Sequence, residues 1–214
     1  MSVRYGVVLV PDPSFTARAY RARQLICGQY ASWAAEMHPV HLPVADFFQC
    51  DVNSVPALEA QLGRAVQHIQ RTHRGFPLAH QGVATLPGAD GNIFLDFTVP
   101  GNPPQRNLRT LGVLHHSVVD TLRQTSGVVA DAGVVEENYR PHLPLMQYAN
   151  LPAPVFADAV EFARAVVSDL QLPQATKAWK LMLLRFESNA AGDNWDGGRW
   201  AADLRWNALT SYSL

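Results

Sequence analysis

Val40-His41-Leu42-Pro43-Val44 and Pro141-His142-Leu143-Pro144-Leu145 share a His-Leu-Pro-aliphatic string, with the two histidines 101 residues apart. At the same offset the apolar positions Val55, Leu58, Leu62 and Val66 fall on Phe156, Ala159, Ala163 and Val167, and the stretch from Phe76 falls close to Trp179. One shared tetrapeptide carries little weight alone. A match that brings a helix stripe and a following hairpin along in register implies an internal repeat. The fold class read from this is α+β: one bilobal domain over 1–214 with pseudo-two-fold symmetry. Its two antiparallel sheets face a central cleft, its lobes are intertwined, and its helices pack outside. Two unrelated α+β halves with chance His-Leu-Pro strings are the alternative.

Elements around the two strings follow from periodicity and punctuation. Arg4 to Val10 reads as a strand ended by Pro11-Asp12-Pro13. Ser14 is the expected cap of a helix with Phe15, Ala19, Ala22, Ile26, Tyr30 and Trp33 on one face. A second capped helix starts at Ser54, with the stripe Val55, Leu58, Leu62, Val66 and Ile69. Phe76 to Leu86 and Asn92 to Val99 read as strands across the turn Pro87-Gly88-Ala89-Asp90-Gly91. Gln105 to Gln124 reads as a helix with Leu108, Leu111, Val118 and Leu122 inward, and residues 128–135 as a further strand. Tyr139 to Tyr148 is extended, Val155 to Leu170 an amphipathic helix, and Trp179 to Glu187 a strand. Trp200 to Trp206 is its expected hairpin partner across Gly192–Gly198, which reads as a turn or flap.

Composition narrows the function classes. The 214 residues are 48 % apolar and 16 % charged, with a net charge of −1. That supports a full core and excludes disorder as the general description. Binding of long duplex nucleic acid through a broad basic surface is not expected, since counterion release needs clustered Lys and Arg. No apolar stretch approaches the roughly 20 residues that span a bilayer, and the first residues lack a secretory layout. A cytoplasmic monomer is expected. Cys27 and Cys50 have no CxxC spacing and read as reduced thiols.

In a strand, residues two apart share a face. His41 therefore shares one with Pro43, and His142 with Pro144, while Leu42, Val44, Leu143 and Leu145 point into a core. Two imidazoles meeting across a cleft suit general acid–base chemistry near neutral pH. One takes a proton from the attacking oxygen while the other protonates the leaving oxygen of an in-line phosphoryl transfer. That scheme needs no metal and no cofactor.

These two motifs and their setting resemble the 2H phosphoesterase superfamily, which includes the 2′-5′ RNA ligase-like (LigT-like) proteins and cyclic phosphodiesterases. Asp46-Phe47-Phe48 and a capped helix follow the first motif, and Tyr139-Arg140-Pro141 precedes the second much as in that superfamily's typical lead into its second motif. The resemblance covers nearly the whole chain in element order. It implies a metal-independent phosphodiesterase acting on 2′,3′-cyclic or 2′-5′ phosphodiesters of nucleotides or short RNA, with His41 and His142 catalytic. The sequence departs from the family at one position of each motif. The family has Thr or Ser where this chain has Pro43 and Pro144, which supply neither a hydroxyl nor a backbone N–H. A mid-strand proline also implies a missing ladder partner or a bulge.

Arg140 is the nearest substitute donor in sequence. Tyr148, six residues past His142, is the best placed aromatic for a nucleotide if the strand runs that far; Tyr5, Phe47 and Trp179 are weaker candidates. Arg140, Tyr148, Pro43 and Pro144 thus complete the expected substrate-binding set. The pairs His38/His41 and His115/His116 resemble metal ligands only superficially. On a strand His38 and His41 fall on opposite faces, and the helical pair reads as partly exposed, so no metal site is expected. His80 sits where it can face the groove. The alternatives to catalysis are an impaired nucleotide- or RNA-binding protein of the same fold, for which the two prolines argue, and an interaction scaffold.

Overall fold

The computed structural model describes residues 1–73, 76–85, 91–98, 106–130 and 139–214. Its elements run β1 (Ser2–Pro11), α1 (Pro13–Tyr30), β2 (Leu42–Cys50), α2 (Val55–Thr72), β3 (Pro77–Ala79), β4 (Val83–Thr85), β5 (Ile93–Asp96), α3 (Arg106–Gln124), β6 (Val128–Val129), β7 (His142–Met146), α4 (Ala153–Asp169), β8 (Ala175–Ser188) and β9 (Arg205–Ser213). The strands form two antiparallel sheets. The larger runs β3-β8-β1-β2-β6 with β9 also on β8, and the smaller runs β4-β5-β7. The architecture is α+β with two antiparallel sheets, as the sequence implies. Helices α2 and α3 pack together behind the large sheet, and α1 and α4 behind the small one.

Alternation along the central strands explains the layering. Tyr5, Val7, Leu9, Leu181 and Leu183 enter the main core with the helix stripes Phe15, Ala19, Ala22, Ile26 and Leu58, Leu62, Val66, Ile69. Val8, Leu184 and Phe186 face the other way. They meet a second, aromatic cluster supplied by Trp195, Trp200 and Leu204 from the segment between β8 and β9. That segment is a strap folded over the face of the large sheet that points away from the main core.

Several sequence expectations shift here. The cap of α1 is Asp12, whose carboxylate accepts from the Ser14 and Phe15 N–H groups, because Pro13 occupies the first helical position. Trp33 lies beyond the helix and is exposed. The run from Phe76 splits into β3 and β4 around His80–Gly82, where Gly82 has φ +102°. Trp200 is not in β9: Gly197 and Gly198, at φ +73° and +75°, turn the chain into the 3₁₀ segment Asp196–Ala202 instead. The stretches near Phe76 and Trp179, equated by the 101-residue offset, pair with each other in one sheet, Pro77 opposite Lys177. Leu86, residues 87–90, Val99, Gln105, the Leu108 side chain and residues 131–135 lie outside the described residues. Among those described, no helix is long and apolar enough to cross a membrane.

Candidate active site

His41 immediately precedes β2 and His142 opens β7, strands of different sheets that pack against each other. Each ring is oriented in the same way. His41 Nδ1–H donates to the carbonyl of Pro39, two residues back, at 2.7 Å, and His142 Nδ1–H donates to the carbonyl of Arg140, also two back, at 2.9 Å. A carbonyl only accepts, so the proton of each neutral ring is on Nδ1 and the lone pair on Nε2. Leu42, Val44, Leu143 and Leu145 are buried in the core as the alternation requires.

Both prolines sit beside a bulge. Val8 pairs with Pro43 and Val7 with Ala45, so Val44 is the extra residue on β2; Phe94 pairs with Pro144 and Ile93 with Met146, so Leu145 is the extra residue on β7. The mid-strand prolines therefore mark irregular ladders, as expected. Side chains take up the carbonyls left over. His115 Nδ1–H donates to Val44 at 2.8 Å, the Tyr139 hydroxyl to Pro43 at 3.0 Å, and the Cys27 thiol to Leu145 at 3.3 Å. His115 is thus buried and stacked on Tyr139 at 4.2 Å rather than partly exposed.

Burial dominates the electrostatics. His41 is 3 % exposed, and desolvation, then the charges of His38, Arg23 and His142, hold its pKa well below the usual 6.5. His142 is half-buried. Desolvation lowers it too, Arg140 adds to this, and Asp96 opposes it. His38 comes as a surprise: parity puts it opposite His41, yet the rings meet edge-on at 4.9 Å. It precedes β2, where strand parity does not apply. His38 Nε2–H donates to Gln147 Oε1 at 2.6 Å, tying the lead-in of β2 to the residue after β7, and burial pushes its pKa down to about 4.

The strap closes this region. Trp200 is 1 % exposed, and its indole lies 5.8 Å from the His38 ring, 5.5 Å from Phe47 and 5.8 Å from Tyr148. Gly198 lets it approach: a Cβ there would lie 2.4 Å from the Tyr148 ring. A chemically open groove at His41 was the expectation. The structure instead covers His41 with His38 and, outside it, the strap.

No protein-family model matches the sequence, and no curated protein matches it. Solved structures do. A phosphoesterase aligns with a TM-score of 0.55 at 13 % identity over 100 % of this chain and 99 % of its own. E. coli LigT complexed with 3′-AMP aligns at 0.51 and 13 % over 99 % and 97 %, and LigT complexed with phosphate at 0.50 and 12 % over 99 % and 96 %. The chain has the LigT fold. At these identities the likeness is one of architecture.

Within this LigT-like frame the other expected site residues fare unequally. Pro43 is half-buried and Pro144 buried. Arg140 is not free: its guanidinium pairs with Asp96 at 3.0 Å and lies over the Phe94 ring at 5.2 Å. Phe94 in turn meets the His142 ring at 5.2 Å. Tyr148 lies past the end of β7 at φ +50°, so its strand parity lapses, but its ring packs on the strap. Phe47 belongs to the aromatic cluster, Tyr5 to the main core, and the exposed Trp179 carries Lys180 over its ring at 4.1 Å. His80 packs on Phe15 and Phe97.

Asp46 was missed as an ionisable group. Its Oδ1 is buried without a hydrogen-bond partner, and desolvation pushes the carboxyl up to about 7. Its charge reaches Tyr139 and Tyr148, raising both phenols further after burial has raised them. The Asp-Phe-Phe run after the first motif was its signal in the sequence.

Proposed function

We propose that the protein is a metal-independent, 2H-type phosphodiesterase acting on 2′,3′-cyclic or 2′-5′ phosphodiesters of nucleotides or short RNA, with His41 and His142 as its acid–base pair. The observation that carries this reading is the matched pair of Nδ1–H bonds to the carbonyls two residues back, which leaves the lone pair of each neutral ring on Nε2. LigT, whose fold the chain shares, is complexed with 3′-AMP, ATP, NADP+ and phosphate. That likeness supports nucleotide ligands for this chain.

The pair shares one proton in the reactive state. His41, the more depressed of the two, stays neutral and takes the proton of the attacking water at Nε2. His142, also lowered by burial but less far than His41, is the partner that gives a proton from Nε2 to the departing sugar oxygen as the P–O bond breaks. Hydrolysis of the cyclic ester leaves a phosphomonoester. With a 5′-hydroxyl in place of water as the attacking group, the same proton transfers open the cyclic phosphate into a 2′-5′ diester, which is the ligase direction.

A second reading has its own observations: Pro43 and Pro144 bring no hydroxyl to a phosphate, and His41 is buried against His38, on which the strap's Trp200 packs. It makes the protein a nucleotide binder with impaired catalysis. One experiment separates the two. Purified protein is incubated with 2′,3′-cyclic nucleotides and 2′-5′ oligoadenylates in EDTA, beside His41→Ala and His142→Ala. Turnover lost in both variants supports catalysis; saturable binding without product supports the second reading; turnover indifferent to both substitutions rejects the assigned roles.

A further inference from the structure

Arg23 lies on the inner face of α1 and is 0 % exposed. A fully buried guanidinium is costly unless its donors are used. No carboxylate is within ion-pair distance of it among the described residues. Its Nη donors go to main-chain carbonyls instead, Nη1 to Ala35 at 2.7 Å and His38 at 2.9 Å and Nη2 at the limit of reach, 3.5 Å, to Pro39, while Nε is buried without a partner. These carbonyls belong to the segment that leads into His41, and the Pro39 carbonyl is the one that accepts the His41 Nδ1–H.

The two histidines differ in how that acceptor is held. For His142 the acceptor, Arg140, is next to Pro141, whose carbonyl accepts from Phe97 N–H at 3.0 Å, and the Arg140 side chain is anchored on Asp96. Residues 38–41 precede β2, which begins at Leu42, so no strand ladder fixes the Pro39 carbonyl. Arg23 supplies from a helix what the Phe97 N–H and the Asp96 carboxylate supply on the other side.

We propose that Arg23 is a positioning residue of the two-histidine site, clamping the carbonyls of Ala35, His38 and Pro39 so that the Pro39 carbonyl holds the His41 ring with Nε2 bare. This rests on His41 having the role given above, although its physical core, control of the His41 tautomer, is measurable without any substrate. The charged and titratable groups acting on His41 are His38, Arg23 and His142, and those acting on Arg23 are Glu36, Cys27 and Tyr20. Removing the guanidinium leaves the two other ionisable groups, His38 and His142, unsubstituted, and their own resonances report any movement alongside His41.

The test uses Arg23→Met, which removes the donors, and Arg23→Lys, which keeps a charge but not the three-way fork. Each is checked by thermal melting, then by long-range ¹H–¹⁵N NMR of the imidazoles from pH 4 to 8, then by turnover of a 2′,3′-cyclic nucleotide. In wild type His41 is expected as a single Nδ1–H tautomer. In Arg23→Met a mixture with the Nε2–H form is expected, with His41 titrating at higher pH, kcat down tenfold or more and KM within about threefold. Arg23→Lys restores the low titration but not the single tautomer, and it decides the matter alone if the Met variant fails to fold. An unchanged His41 tautomer in the folded variants overturns the proposal, whatever happens to activity or melting temperature. A wild type without turnover, but with the tautomer shift in the variants, sinks the enzymatic reading and leaves the Arg23 clamp standing.

Discussion

Asp46→Asn is expected to stabilise the protein at pH 8 and to lose that advantage at pH 4. The carboxyl titrates near 3.8 when unfolded but is pushed up to about 7 in the fold by burial. Between those values the unfolded chain releases a proton that the folded chain keeps, so stability falls as pH rises from about 4 to 7 and the full cost is present above 7. At 1.36 kcal/mol per pH unit the upper bound is about 4 kcal/mol. Asparagine removes the charge but leaves an amide at a place where Oδ1 already lacks a partner, a cost of about 1–3 kcal/mol. With solvent screening of a partly buried group, the net gain at pH 8 is about 1–2 kcal/mol. For a chain of this size that raises Tm by roughly 2–8 °C. The assay is a pair of melting curves at each pH from 4 to 8, comparing variant with wild type so that the histidines, common to both, cancel. A Tm difference that does not change between pH 4 and pH 8 refutes the reasoning.

Three other outcomes follow from the site. kcat/KM for a 2′,3′-cyclic nucleotide is expected to be bell-shaped with its maximum below pH 6.5, since burial lowers both His41 and His142 in the free protein; a profile still rising through pH 8 contradicts this. Trp200→Ala removes a fully buried ring, costing about 3–5 kcal/mol by thermal or urea unfolding, and is expected to speed diethyl pyrocarbonate modification of His41 tenfold or more; an unchanged rate shows that the strap does not shield it. Pro43→Thr with Pro144→Thr returns two hydroxyl donors at positions where each is commonly worth about 10²–10³ in rate. An increase in kcat of at least tenfold is expected, and a well-folded double variant no faster than wild type argues that the bulged strands aim these positions elsewhere.

Legibility in the sequence tracked how local the deciding physics was. The Leu58, Leu62, Val66, Ile69 stripe and the alternation through Leu42, Val44, Leu143 and Leu145 were readable because burial follows backbone period directly. The proline bulges were readable because proline cannot donate to a ladder. His38 was misread because its parity with His41 assumes a strand that starts only at Leu42. Trp200 was misplaced because two left-handed glycines, Gly197 and Gly198, break the run that composition suggested. Arg23 had a local signal: it stands four residues after Ala19 and three before Ile26, inside the apolar stripe. What that charge binds depends on carbonyls more than ten residues away, which no helical period encodes.

The central claim is that His41 and His142, each held through its Nδ1–H, bring their Nε2 atoms to a single phosphate and share one proton there. Long-range ¹H–¹⁵N NMR at pH 7.5, with inorganic phosphate titrated in, tests it most directly. The account predicts that His41 and His142 both appear as Nδ1–H tautomers and that their Nε2 resonances shift together along one binding isotherm. An Nε2–H tautomer at either histidine, or a shift confined to one of them, contradicts it.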